Sequence, residues 1–186
     1  MKTKKILWTV LGLIGGVVLL PYIIVILFYI IHGLLILISP PPAVSVKYAE
    51  FPFEVTYEIN GEVKTVNDIF VCKYDGVGMN EGVGKYIKWK GYIKSTGEED
   101  ILLIEDGNIS MFCSIGSPKY YMGDPSYFVD GIARPDYRIK PSIFYIEYHN
   151  VFGGETIGIA ENEHLEKYKV KLISWKLSDP IENTFE

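Results

Sequence analysis

The sequence predicts a mainly β fold, a β-sandwich or partly open barrel with one short helix, that follows an N-terminal transmembrane α-helix. The first observation is an apolar run from Ile6 to Ile38 that contains no Asp, Glu, Lys or Arg. About 20 apolar residues suffice to cross a bilayer, so this run has length to spare. The second is a series of short apolar and aromatic segments separated by turn residues. Many short strands at such spacing are typical of sandwiches and barrels.

The basic residues around the apolar run predict how the chain crosses the membrane. Three lysines lie within residues 1–5, and Lys47 is the first basic residue beyond the run. Cytoplasmic flanks of membrane helices carry an excess of Lys and Arg. We therefore expect residues 1–5 in the cytoplasm, residues 6–38 as a single span of the cell membrane, and the rest of the chain outside.

Two other interpretations of the apolar run stay open. A cleaved secretory signal also begins with basic residues, but its apolar core is about half as long. Pro21 could instead separate two spans, Ile6–Leu20 and Ile23–Ile38, although each is only about 15 residues long. Because proline is tolerated inside membrane helices, the length of the run favours one uncleaved helix.

A proline-rich spacer and an acidic domain follow the run. Residues 39–46 include three consecutive prolines and predict a stiff connection. Residues 47–186 then form the extracytoplasmic domain. Outside residues 1–5 the chain has 15 basic and 23 acidic residues, a net charge of −8. So acidic a domain has no general attraction for nucleic acid, and we expect no nucleic-acid partner.

Turn residues predict two β-hairpins in this domain. Phe53 to Ile59 alternates apolar and polar side chains, and Asn60-Gly61 then supplies two residues that readily adopt positive φ. Asp106-Gly107 predicts a second hairpin in the same way. The sequence predicts the following further elements: strands at Glu62–Val66, Ile69–Tyr74, Lys85–Lys94, Ile101–Glu105, Ile109–Ile115, Ser142–Tyr148 and Tyr168–Leu177, and a helix at Ala160–Lys167.

The glycine-rich segment from Gly76 to Lys85 superficially resembles a phosphate-binding loop. A P-loop needs glycine, four residues, then Gly-Lys-Ser/Thr. Here Met79 stands at the first glycine position and Tyr86 at the hydroxyl position. We therefore expect a flexible connection between two strands rather than a phosphate site.

The segment from Ser117 to Tyr145 is the richest candidate for a binding surface. Tyrosine combines a rigid apolar ring with a polar tip, which suits recognition of proteins or carbohydrates. An aromatic segment can equally cover the end of a core, and the sequence leaves both interpretations open. The preferred binding residues are Tyr120, Tyr121, Asp124, Tyr127 and Tyr137.

The remaining reactive side chains predict no catalytic residue, metal site or cofactor. Cys72 and Cys113 lie in predicted strands, where an oxidising compartment permits a disulfide and buried free thiols are the alternative. His164 and Glu161 lie one turn apart on the predicted helix, but that pattern is more typical of a solvated acidic face than of a metal site.

These observations predict a single-pass, membrane-anchored, non-catalytic binding module for a protein or a cell-envelope component. A more specific version neutralises a toxin or inhibits an envelope enzyme. The first alternative is an envelope hydrolase that uses paired carboxylates. The second is that the helix itself binds another helix through Gly12 and Gly16, whose spacing suits close packing.

Overall fold

The structure is a computed structural model in which we describe residues 2–80, 84–127, 139–149 and 153–185, with side chains from residue 19 onward. The chain divides into two compact units. The first comprises Met1–Pro41 and Gly78–Tyr86, and the second comprises Pro42–Val77 and Ile87–Glu186. We describe each unit by itself.

The first unit contains one long helix, α1, from Lys2 to Ile38. Its segment Leu19–Ile38 has a mean hydropathy of 2.5, which makes the helix long and apolar enough to span a membrane. Pro21 lies inside α1 without ending it. The alternative of two separate spans is therefore wrong, because the backbone stays helical through the proline.

The second unit is built from two four-stranded antiparallel sheets. Sheet 1 has the strand order β3-β2-β1-β8, and sheet 2 has the order β4-β5-β6-β7. The strands are β1 Tyr48–Ile59, β2 Glu62–Asn80, β3 Gly84–Ile93, β4 Ile101–Asp106, β5 Ile109–Ser114, β6 Ser142–His149, β7 Gly154–Ile159 and β8 Val170–Lys176. The helices are α2 Pro118–Tyr121, a 3₁₀ turn Pro125–Tyr127, and α3 Asn162–Lys167. The predicted mainly β fold is confirmed.

Both predicted hairpins are present. Asn60 and Gly61 have φ values of 53° and 84°, and they join β1 to β2 with Ile59 paired to Glu62. Gly107 has a φ of 61° in the turn between β4 and β5. These turns put the facing strands in register and so decide which side chains share a face.

The core lies between the two sheets. Val55 of β1 and Cys72 of β2 are fully buried from sheet 1, and Cys113 of β5 is fully buried from sheet 2, all in one apolar cluster. Tyr121 and Met122 add buried side chains from the connection after β5. Side chains from two facing sheets and a connecting segment thus form one interior, which is the arrangement of a β-sandwich.

Some element predictions need correction. The predicted strands Glu62–Val66 and Ile69–Tyr74 are one continuous strand, β2, which also takes in much of the glycine-rich segment as far as Asn80. Strand β7 and helix α2 were not predicted. Strand β7 contains two glycines, and α2 is a single turn, so neither has a strong local pattern.

Candidate binding face

A row of apolar side chains crosses all four strands of sheet 2 on the face opposite the core. Leu102 pairs with Phe112, Phe112 pairs with Phe144, and Phe144 pairs with Ile159. Directly opposite residues of antiparallel strands share a face of the sheet. The neighbouring positions Ile101, Cys113 and Ile143 are buried in the core, so the row points outward because successive side chains alternate.

A second row lies beside the first. Ser110 pairs with Ile146, and Ile146 pairs with Ile157. The exposed fractions are 51% for Leu102, 62% for Ile157 and 76% for Ile159. The two phenylalanines of the first row stack with their ring centroids 5.3 Å apart. We call these six apolar side chains the outer apolar face: Leu102, Phe112, Phe144, Ile146, Ile157 and Ile159.

The outward face of sheet 1 has the opposite chemistry. There Glu54 pairs with Asn67 and Thr56 pairs with Thr65. Glu54 also accepts a hydrogen bond of 3.1 Å from the Asn67 amide, and the two threonine hydroxyls lie 3.0 Å apart. A polar outward face is the usual condition for an antiparallel sheet with one side in water. The outward face of sheet 2 is apolar instead. An exposed apolar patch on a folded domain indicates an interaction site.

The sequence contains a signal for this face that local alternation does not show. Ile101 to Ile104 and Ile143 to Ile146 are apolar or aromatic at every position. In a strand covered on one side only, apolar and polar side chains alternate. A strand covered on both sides is apolar at nearly every position. Both runs are predicted as strands, and their continuous apolar character further indicates a second apolar side that needs cover.

Acidic residues border the outer apolar face. Glu105 pairs with Ser110 at the β4 end of the second row, and Glu155 pairs with Tyr148 on β7 and β6. Both glutamates are exposed, and Tyr148 is 47% exposed. Apolar centres with polar rims are typical of protein interfaces. Here the rim is negatively charged.

Most residues of the predicted tyrosine surface lie in the interior of the domain. Tyr120, Tyr121 and Asp124 are only 4%, 1% and 3% exposed, and Tyr127 is partly buried. The Tyr121 hydroxyl donates a hydrogen bond of 2.7 Å to the Ile115 carbonyl. Because these groups are used inside the fold, we correct the assignment of Tyr120, Tyr121 and Asp124 from a binding face to the core. Tyr137 lies outside the described residues.

The two cysteines are separate buried thiols rather than a disulfide. Cys72 on β2 and Cys113 on β5 are both free and fully buried. Burial in apolar surroundings raises the pKa of each thiol to about 12. Such thiols stay protonated at neutral pH and are therefore inert.

One shallow cleft is lined by two carboxylates, the feature that the alternative of an envelope hydrolase requires. It has a volume of about 310 Å³, and both Glu54 and Asp179 line it, together with Lys176. Burial raises the pKa of a different carboxyl, that of Asp100, which does not line this cleft.

In the part of the chain that the structure describes, no three His, Cys, Asp or Glu side chains come together as a metal site.

Comparison of the chain with protein-family models, with curated proteins and with solved structures finds no match. The fold and its surfaces are therefore the observations that bear on function.

Proposed function

We propose that this chain is a membrane-anchored binding module whose outer apolar face takes a protein partner. The observation that carries the proposal is the unbroken row from Leu102 through Phe112 and Phe144 to Ile159. Leaving such side chains in water costs about 25 cal/mol for each Å² of apolar surface, so covering them stabilises a complex. The polar outward face of sheet 1 offers no comparable gain.

The chemistry of the face defines the partner. Its centre is aliphatic and aromatic, and its rim carries Glu105 and Glu155. A complementary partner has an apolar centre and lysines or arginines around it, because matched charges guide association and reject acidic competitors. The net charge of −8 outside residues 1–5 adds to that selectivity.

The lysines within residues 1–5 support an orientation with the N-terminus in the cytoplasm and the β domain outside the cell membrane. In that orientation the partner is an envelope or secreted protein, which includes a toxin or an envelope enzyme that the module would inhibit. The buried thiols Cys72 and Cys113 are compatible with either compartment because they do not depend on a disulfide.

The test compares two lysine substitutions in strands of the two sheets. Ile157→Lys places a charge on the outer apolar face, and Val63→Lys makes the same kind of change on sheet 1, where Val63 is 57% exposed and pairs with Glu58. The full chain is purified from crosslinked cells, and the recovered partner is then tested for binding in purified form. We expect the wild type and the Val63 variant to retain the partner and the Ile157 variant to lose it.

Equal retention by both variants, or recovery of no protein with either the wild type or the Val63 variant, would count against the proposed binding face. Urea unfolding of each variant is the control, since loss of binding is informative only when the domain remains folded.

The cleft that Glu54 and Asp179 line supports a second candidate, an envelope hydrolase with paired carboxylates. Glu54→Gln would abolish cleavage of oligosaccharides from the cell envelope while leaving partner binding intact. Absence of any cleavage by the purified full chain would dispose of this candidate.

A further inference from the structure

Helix α1 ends without a basic residue of its own in the last turn. The last carbonyls of a helix have no partner inside it and carry partial negative charge. At this end Ser39 donates a side-chain hydrogen bond of 2.7 Å to the Ile36 carbonyl. Other carbonyls at the end of the helix still need donors, and a cation placed there is stabilising.

Lys85 supplies those donors from a distant part of the sequence. Its ammonium group donates hydrogen bonds of 2.9 Å to the Leu37 carbonyl and 2.5 Å to the Ser39 carbonyl. Lys85 belongs to the same compact unit as α1. We give the name hairpin tip to the described strand ends in that unit, Gly78–Asn80 of β2 and Gly84–Tyr86 of β3. The lysine of the glycine-rich segment thus binds the carbonyls of Leu37 in α1 and of Ser39 just beyond it, which accounts for a lysine in a segment that lacks the phosphate-loop pattern.

These contacts fix where the hairpin tip lies along the helix. The apolar segment of α1 ends at Ile38, between the two residues whose carbonyls Lys85 binds. If α1 crosses a bilayer, that point lies at the boundary between acyl chains and headgroups. Lysine is suited to such a boundary, because its stem is apolar while its ammonium seeks polar partners.

The hairpin tip also carries an apolar side chain without cover. Met79 is 58% exposed, although it stands next to Gly78 in strand β2. A Cβ at Gly78 would come within 2.7 Å of the Tyr86 ring and hydroxyl, so the two strands are closely packed there. A firmly packed tip with one exposed methionine is a suitable shape for insertion among lipid chains.

We propose that the hairpin tip is a second membrane contact, in which Met79 enters the lipid at the headgroup boundary and Lys85 holds the tip against the end of α1. The partner is the lipid bilayer itself, because the tip is continuous with the end of an exposed apolar helix. This inference rests on the membrane span assumed in the proposed function, but not on the outer apolar face.

The experiment uses the full chain in phosphatidylcholine vesicles, with an environment-sensitive fluorophore on Met79→Cys. The control is Val63→Cys, since Val63 is 57% exposed and lies on the same strand sixteen residues earlier. The wild type serves as a labelling blank because Cys72 and Cys113 are buried. We expect blue-shifted emission at position 79 and loss of its intensity when the vesicles contain lipids spin-labelled near the headgroup, with no change at position 63.

A variant pair then tests the role of Lys85. Lys85→Arg preserves a cation and donors, so the fluorophore at position 79 should stay in lipid. Lys85→Gln removes the charge, and the spin-labelled lipid should then quench position 79 less. Equal quenching with both variants would overturn the capping role.

Failure of this inference can be told from failure of the membrane span. A chain that floats with the vesicles but is not quenched at position 79 overturns the lipid contact alone, and blue-shifted emission without lipid quenching would mean that a protein surface or a second copy covers the tip. A chain that does not float with the vesicles overturns the span on which both proposals rest.

Discussion

The indole Nε1 of Trp89 donates a hydrogen bond of 2.8 Å to the Oδ2 oxygen of Asp124. The other carboxyl oxygen, Oδ1, accepts a hydrogen bond of 2.8 Å from the Ser126 amide. Asp124 is 3% exposed, so these contacts replace water around a buried carboxyl group. The pair joins strand β3 of sheet 1 to the connection that follows β5 of sheet 2.

Trp89→Phe should lower the free energy of unfolding by about 1–3 kcal/mol, the usual cost of leaving a buried hydrogen-bond acceptor without its partner. Phenylalanine keeps an aromatic ring but removes the donor, which leaves Oδ2 of Asp124 without this partner. Urea unfolding monitored by circular dichroism measures the loss. In the Asp124→Asn background the effect of Trp89→Phe should shrink, and an unchanged effect there would show that packing rather than the hydrogen bond is responsible.

Asn183 fastens the C-terminal segment to the start of the domain. Its Oδ1 accepts hydrogen bonds of 2.8 Å from the Ser45 hydroxyl and 2.9 Å from the Val46 amide, and its Nδ2 donates to the carbonyls of Val46 and Met122 at 3.0 and 3.2 Å. At about 0.5–1.5 kcal/mol for each of the four bonds, Asn183→Ala should cost about 2–6 kcal/mol. Asn183→Asp keeps the acceptor and loses the donor, so chemical denaturation should show an appreciable loss with that variant too. Stability equal to the wild type in Asn183→Asp would mean that the donor side contributes nothing.

Gly123 and Gly97 allow a matched test of close packing. Both have positive φ, 63° and 78°, but a Cβ at Gly123 would come within 2.5 Å of the Ile181 carbonyl oxygen, whereas a Cβ at Gly97 would meet nothing within 4 Å. Gly97→Ala should cost about 1 kcal/mol, because alanine is strained in the left-handed region. Gly123→Ala should cost clearly more, since the backbone of the C-terminal segment must also move. Thermal unfolding of the two variants, compared directly, decides the matter, and equal losses would contradict the contact with Ile181.

The buried thiols predict a loss of stability at high pH. Cys72 and Cys113 have a folded-state pKa of about 12, whereas a thiol in the unfolded chain has a pKa of about 8.5. Above that lower value the unfolded chain releases protons that the folded chain retains, so unfolding becomes more favourable as the pH rises toward 12. Each thiol contributes a slope of about 1.4 kcal/mol for each pH unit across that window.

Urea unfolding at several pH values between 8 and 11 tests this slope, with Cys72→Ala/Cys113→Ala as the control. The double variant should lose less stability over this interval, although burial also raises the pKa of Tyr57 and Tyr121 and leaves part of the slope. Identical slopes would contradict the thiol assignment. If addition of reductant lowered the melting temperature of the wild type, Cys72 and Cys113 would be joined by a disulfide after all.

Local sequence patterns predicted those parts of the fold that depend on neighbouring residues. Asn60-Gly61 predicts its hairpin because few residue pairs accept two consecutive positive φ values, and alternation in β3 predicts which side carries its lysines. Continuous apolar character predicts helix α1, although not that Pro21 leaves it unbroken.

Features that depend on the pairing of distant strands could not be predicted in the same way. The outer apolar face exists only because Leu102, Phe112 and Ile159 come into register through separate strand pairs. Because aspartate is usually exposed, local sequence predicts a surface position for Asp124, and its partly buried partner Trp89 lies 35 residues earlier. Lys85 likewise contacts two carbonyls at the end of α1 that are 46 and 48 residues away, those of Ser39 just beyond the helix and of Leu37 within it.

The most direct test of the proposed function is a photo-crosslinking footprint in intact membranes. A photoreactive amino acid is placed, one position at a time, at Leu102, Ile157 and Ile159 on the outer apolar face and at Val63 and Thr65 on the outward side of sheet 1. We expect one protein adduct, common to the three positions on sheet 2 and absent from the two on sheet 1. Adducts that form equally from both sheets, or only with lipid, would contradict a protein-binding role for this face.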